Sequence, residues 1–145
     1  MARLWEYKKL DTYTHMGPFD AALWERFMVA YPHMYESVAY DESVGGGEIP
    51  QNDGEPNQYK ENFADLTKFR IDVIGYRKDG SADIIELRPR AGLSAIGHTL
   101  GGTHLFIKEN PHTSARAMIV TDTAQSDMGT LCRAHSVILI ELDKI

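Results

Sequence analysis

Two runs of strand-forming residues, 69–76 and 82–88, flank the tripeptide Lys78-Asp79-Gly80. Both runs are rich in β-branched and aromatic side chains, and a short polar turn closing on glycine marks them as a β-hairpin. With Gly80 left-handed at the end of a three-residue turn, the register follows. Asp72 comes opposite Glu86 and Arg70 opposite Arg88 on one face, while Ile71 meets Leu87 and Val73 meets Ile85 on the other. A two-residue turn would shift the pairing by one and send the two acids to opposite faces.

Side chains directly opposite each other on an antiparallel pair lie about 4.5–5.5 Å apart at Cβ, and like charges there are destabilising. Two facing carboxylates therefore need a counter-charge. Arg70 and Arg88, one step along the same face, are one source of it. A divalent cation is the other, since Mg²⁺ is held by one or two carboxylates together with substrate phosphates.

The rest of the chain reads as alternating helices and strands. An extended segment is expected at 4–8. A helix follows from Pro18, with Phe19, Leu23, Phe27 and Ala30 at helical spacing, and Pro32 beyond its end. A strand at 35–40 leads to a Gly/Pro-rich loop at 41–57 and a short helix at 58–67. After the hairpin, a helix at 93–108 carries Leu93, Ile96, Leu100 and Ile107 on one stripe, with Gly97 and Gly101 packed closely on the sheet. A strand at 117–121, a helix at 124–134 and a strand at 136–142 close the chain as a parallel βαβ unit. This order predicts one three-layer α/β domain, 1–145, with a mixed central sheet.

Composition sets limits on function. Hydrophobic residues make up 43% and charged residues 25%, a globular mixture. The net charge of −6 confines any nucleic-acid contact to a local patch. Lys68, Arg70, Arg77, Lys78, Arg88 and Arg90 cluster around the hairpin, interleaved with acids. No apolar run is long enough to span a bilayer, and the first residues lack the apolar core of a secretory signal. Cys132 is the single cysteine, which fits a reducing compartment and a packing role. No Cys/His spacing reads as zinc, so His98 and His104 are taken as surface or packing residues. Gly45-Gly46-Gly47 lacks the Lys-Ser/Thr of a phosphate loop. Trp5, Tyr7, Trp24 and Phe27 are expected in the core.

The sequence Lys68-Phe69-Arg70-Ile71-Asp72, then Ile85-Glu86-Leu87-Arg88-Pro89, then Ala91-Gly92-Leu93-Ser94-Ala95-Ile96-Gly97, resembles the PD-(D/E)XK nuclease superfamily. The pattern of that superfamily is Asp, a hairpin, then Glu-x-Lys. Leu23-Trp24-Glu25-Arg26 and the closing βαβ unit are also similar to phage proteins with this fold. The resemblance implies a restriction-endonuclease-like domain in which Asp72 and Glu86 bind Mg²⁺, Arg88 takes the position of the catalytic Lys, and Arg70, Arg88 and Arg90 face a substrate phosphate. Glu25 matches a helix acid that joins such sites in some members; a solvated helix charge is its simpler reading.

Three departures bear on activity. Arg88 replaces Lys, and a guanidinium cannot shift its pKa as an amine does. His98 and Gly102 stand where related members carry Gln and Tyr. These changes leave the metal ligands and erode the rest of the site. Two functions follow from the resemblance, and the eroded positions together with the acidic balance put the first ahead of the second. The first is a nuclease-like fold reused as a structural or interaction module of a phage particle, in the head–tail or neck region, with other phage proteins or further copies of itself as partners and a location in host cytoplasm or virion. The second is a Mg²⁺-dependent DNA endonuclease or exonuclease using Asp72 and Glu86.

Overall fold

A computed structural model of the chain describes residues 3–13, 15–46 and 69–144. The expected helix at 58–67 and most of the expected 41–57 loop lie outside these residues. Among those described, the elements in chain order are β1 (Trp5–Glu6), α1 (Pro18–Ala30), β2 (Ser37–Val44), β3 (Phe69–Tyr76), β4 (Ala82–Leu87), β5 (Arg90–Ala91), α2 (Leu93–Glu109), β6 (Ala115–Thr121), β7 (Thr123–Ala124), α3 (Met128–Ala134) and β8 (Val137–Glu141).

Six strands form one mixed sheet in the order β1-β2-β3-β4-β6-β8. The first four run antiparallel to their neighbours, whereas β4–β6 and β6–β8 are parallel, joined by α2 and α3 as crossovers. Helix α1 covers one face through Leu23, Trp24, Phe27 and Met28, packed on Val38, Val73, Ile85, Leu87 and Met118. Helices α2 and α3 cover the other, where Ala95, Ile96, Met128 and Cys132 meet Ala117 and Ile119, and Phe106 meets Ile74 and Ile84. The architecture is thus the expected three-layer α/β arrangement.

The hairpin turns as its sequence requires. Arg77 N–H donates to Ser81 O at 2.9 Å, Gly80 has φ +86°, and Val73 pairs with Ile85 and Tyr76 with Ala82. Asp79 accepts hydrogen bonds from the Ser81 N–H (2.9 Å) and hydroxyl (2.6 Å), which tightens the turn.

Several expectations are corrected by tertiary packing. β2 continues to Val44, so 41–44 are strand rather than loop: β3 supplies partners for residues whose polarity reads as a turn. α3 begins at Met128 rather than 124, because Asp127 is left-handed (φ +68°) and Thr123–Ala124 pairs with Arg90–Ala91. The face that α2 buries is Ala95, Ile96, Thr99, Gly102, Thr103 and Phe106, whereas Leu93 is 65% and Ile107 41% exposed. An apolar-only pattern overlooks threonines that satisfy themselves: Thr99 donates to the Ile84 carbonyl at 3.0 Å and Thr103 to Thr99 O at 2.7 Å. A Cβ on Gly97 would meet open space, while one on Gly102 would lie 3.3 Å from Ile71, so the close packing falls at Gly101 and Gly102. Phe19, expected in the α1 stripe, is 80% exposed.

Candidate active site

The regular ladder between β3 and β4 ends at Val73 and Ile85. One residue further on, the strands are bridged by a side chain: Leu87 N–H donates to Asp72 Oδ2 at 2.9 Å. β3 also changes face here. Val73 packs under α1, but Ile71, two residues back, packs with Ile74 and Ile84 under α2. The same-face placement of Ile71 and Val73 expected from strict alternation is therefore overturned. On β2 the residue between the pairs Tyr40–Val73 and Glu42–Ile71 is Asp41, which is left-handed at φ +49°. Asp and Asn tolerate that conformation better than other residues with a Cβ. Asp72 lies at this change of face, where its carboxylate meets the Leu87 N–H.

Glu86 lies on β4 between Ile85 and Leu87 and is 4% exposed. It shares a small cleft with Asp72, Ile71, Ile84, His98, Thr99 and Gly102. The cleft measures about 10 Å³, about the room one water-sized occupant needs. Arg88 Nη2 lies 3.1 Å from Glu86 Oε2 and His98 Nε2 4.0 Å from it. Arg88 is thus the ion-pair partner of a buried Glu86 carboxyl that meets the Asp72 carboxyl as well. Burial first, then the adjacent Asp72 carboxylate, raises the Glu86 pKa far above the usual carboxylate range; Arg88 pulls it back only in part.

Asp20 of α1 lies within electrostatic reach of Asp72 without lining the cleft. Asp20, in the first helical turn, has its pKa raised by burial and by the charge of Asp72, with Arg88 opposing. The resemblance pointed instead to Glu25, five residues further along, with a solvated helix charge as its simpler reading. Glu25 faces away from the cleft and pairs with the Tyr13 hydroxyl at 3.4 Å. An acid in the first turn is a common helix N-terminal choice, so Asp20 carried no signal of its own in the sequence.

The arginines divide. Arg88 stays at the cleft, 3.4 Å from Ser94 Oγ as well as beside Glu86. Arg70 does not neutralise Asp72 and Glu86; its Nη1 is bonded to Asp41 at 2.8 Å and the side chain is 60% exposed. Arg90 is exposed on the short β5 strand. His98 Nε2 is 3.1 Å from Arg70 O, and its ring packs 5.3 Å from that of Phe69. A carbonyl only accepts, so this contact places the proton of a neutral His98 on Nε2.

Buried carboxylates alone do not make a site. Asp83 is fully buried, yet it accepts from the Tyr35 hydroxyl (2.7 Å), Arg77 (2.6 Å) and Arg116 (2.9 Å). Its charge is compensated on every side, which is what a structural acid looks like. Glu86 has no such set of partners. Among the described residues no three acidic, histidine or cysteine side chains stand close enough to enclose a metal by themselves. Asp72 and Glu86 fit instead the open arrangement of a Mg²⁺ site, with two carboxylates and the remaining positions left to water and phosphate.

No family profile matches the chain, and no curated protein sequence does. Among solved structures it is similar to EndoMS in a complex with double-stranded DNA, at 14% identity and a TM-score of 0.51, over 92% of this chain and 49% of that one. It is similar also to a repair endonuclease from Pyrococcus abyssi, at 15% identity and a TM-score of 0.51, over 92% of this chain and 50% of the other. The chain spans about half the length of these proteins. The mixed six-stranded sheet flanked by helices is thus consistent with a restriction-endonuclease-like fold.

Proposed function

We propose that this protein is a divalent-metal-dependent DNA nuclease whose cleft is formed by Asp72, Glu86 and Arg88. The observation that carries the proposal is Glu86: a buried carboxylate against a second carboxylate, Asp72, with Arg88 3.1 Å away as its ion-pair partner, at a cleft with room for one small occupant. Such a pair costs stability unless a proton or a cation occupies it. Mg²⁺ held by Asp72 and Glu86 would supply Lewis acidity, making water a better nucleophile and offsetting the charge that builds on a phosphate.

The chain's own groups have separate tasks. Leu87 N–H fixes the Asp72 carboxylate through Oδ2, so its orientation is set before any ligand arrives. Arg88 offsets part of the Glu86 charge and presents a permanent cation at the cleft mouth, where it can steady a phosphate. Asp20 adds negative charge on the α1 side and favours a cation there. The exposed Arg70 and Arg90 suit the phosphates of a bound strand. DNA is the substrate class that the EndoMS–DNA complex, on the same fold, suggests.

Reuse of the fold as a module of a phage particle ranks second. It would leave Glu86 and Asp72 as a buried like-charge contact with no use for the proton between them, whereas a metal site turns that contact into binding energy. The test is cleavage of plasmid DNA with Mg²⁺ or Mn²⁺. Activity in the parent, lost in Asp72→Asn and in Glu86→Gln, is the expected result. A folded parent that leaves DNA intact with either metal would sink the proposal.

A further inference from the structure

β8 ends the sheet with its outer edge unpaired among the described residues. Val137–Glu141 reads Val-Ile-Leu-Ile-Glu, so apolar strand formers line that edge with no lysine or proline between them. Sheet edges exposed to water normally carry such breaks, because their free N–H and C=O groups otherwise template pairing with another chain. The opposite edge follows the rule. β1 is two residues long, and beyond it β2 runs through Asp41, Glu42 and Ser43, with Asp41 left-handed.

The hydrogen bonds of β8 fix which of its groups remain free. Leu142 N–H donates to Thr121 O at 2.7 Å, in register with the parallel pair Thr121–Glu141. Main-chain groups alternate in direction along a strand, so Ile138 and Ile140 also turn theirs toward β6, while Val137, Leu139 and Glu141 turn theirs outward. An antiparallel copy of β8, related by a two-fold axis at Leu139, matches Leu139 to itself and Val137 to Glu141. Every outward group of the strand then finds a partner. On the α1 side Ile138 of one copy faces Ile140 of the other, a favourable cross-strand pair.

Charge selects this sense of pairing and a second copy as the occupant. Arg133 and His135, both exposed, precede β8; Glu141 and Asp143, both exposed, end it. The two-fold brings the basic entrance of each copy to the acidic exit of the other, whereas a parallel copy would set like charges together at both ends. A stable dimer buries about 800 Å² on each side, more than one strand edge supplies. The remainder lies on α1. A groove of about 1020 Å³ beside the end of β8 has Ala22, Met28, Val29 and Leu142 in its walls, and Val29 is 82% exposed. The axis is perpendicular to the sheet, so both α1 helices stay on one side of it and their grooves face each other.

We propose that β8 is a dimer interface, at which a second copy of this chain pairs antiparallel about Leu139 and joins two six-stranded sheets into one of twelve strands. No β8 residue lines the Asp72–Glu86 cleft. β4, β6 and β8 run parallel, so the two-fold sends the two clefts to opposite ends of the joined sheet. The dimer therefore forms whether or not the cleft cuts DNA.

Sedimentation equilibrium of the full chain is the test, and the parent is expected at twice the mass of one chain. Glu141→Pro removes an outward N–H and leaves the Leu142–Thr121 bond in place, so it should raise the dimer dissociation constant about tenfold or more. An acidic variant, Arg133→Glu with His135→Glu, and a basic one, Glu141→Lys with Asp143→Lys, should each be monomeric alone. Mixed, they should pair, since every entrance then meets an exit of opposite sign. Circular dichroism checks that each variant is folded, and the charge variants carry the test if Glu141→Pro is not. A monomeric parent would overturn the proposal. So would a dimer that survives Glu141→Pro and both charge variants but is lost in Val29→Asp, which would put the contact on α1 alone.

Discussion

The main-chain N–H of Leu87 donates to Asp72 Oδ2 at 2.9 Å, taking the place of the next rung of the β3–β4 ladder. The contact ties a carboxylate of one strand to the backbone of the other, beside Glu86. A rung spent on a side chain lowers the regularity of the sheet and gains a fixed acid at its open end.

Glu86 makes stability depend on pH with a definite sign. Its folded-state pKa is raised from 4.5 to about 9. A raised value means the native state holds the proton longer than the unfolded chain. The associated stability is present below about pH 4.5 and is lost as pH rises toward 9. Thermal unfolding in EDTA should show the parent weakening across this window while Glu86→Gln stays flat, with the difference reaching about 1–3 kcal/mol at the alkaline end. Added Mg²⁺ should restore the parent and leave Glu86→Gln unmoved. Parallel pH profiles for the two proteins would contradict the assignment.

Asp20 adds a like charge near Asp72. Asp20→Asn is expected to raise the melting temperature of the metal-free protein at pH 8 and to weaken Mn²⁺ binding by about three- to tenfold, roughly 1 kcal/mol. Calorimetric titration reads the second effect directly. Unchanged metal affinity would place Asp20 outside the site.

Arg88 carries charge that Lys can also carry. Arg88→Ala removes a cation that competes for Glu86, so metal binding should hold or tighten while DNA cleavage falls by about 10²-fold or more. Arg88→Lys keeps a cation beside Glu86 and adds an amine able to titrate, so its cleavage rate should equal or exceed that of the parent. Cleavage by Arg88→Lys as poor as that of Arg88→Ala would show that guanidinium geometry, not charge, is what the site needs.

Gly75 lies against the ring of Tyr35. A Cβ there would sit 2.5 Å from the ring carbons. Tyr35 is held from its other end by the 2.7 Å bond to Asp83 and has little freedom to yield. Gly75→Ala should cost about 1–3 kcal/mol by overpacking. Tyr35→Phe should cost about 1–2 kcal/mol by removing one donor from buried Asp83. Denaturant unfolding measures both, and neither should alter metal affinity.

The sequence determined the hairpin and most of the element order. Gly80 accepts a left-handed turn at little cost, and that single choice sets the β3–β4 pairing from Tyr76–Ala82 to Val73–Ile85. Periodicity likewise gave α1, through Leu23 and Phe27, and the parallel closing unit. Local chemistry suffices for these features because each depends on residues a few positions apart.

Tertiary structure alone decided the rest. The turn of β3 between Ile71 and Val73, the left-handed Asp41 across from Asp72, and the approach of Asp20 all arise where segments distant in sequence meet. The choice between Asp20 and Glu25 depended on how α1 is rotated on the sheet, which Trp24 and Phe27 set by burying their rings. The difference between Asp83 and Glu86 is likewise invisible in one dimension. Both are acids in the same apolar strand, three residues apart, and only tertiary packing gives Asp83 the donors Tyr35, Arg77 and Arg116 while setting Glu86 against Asp72 with Arg88 beside it.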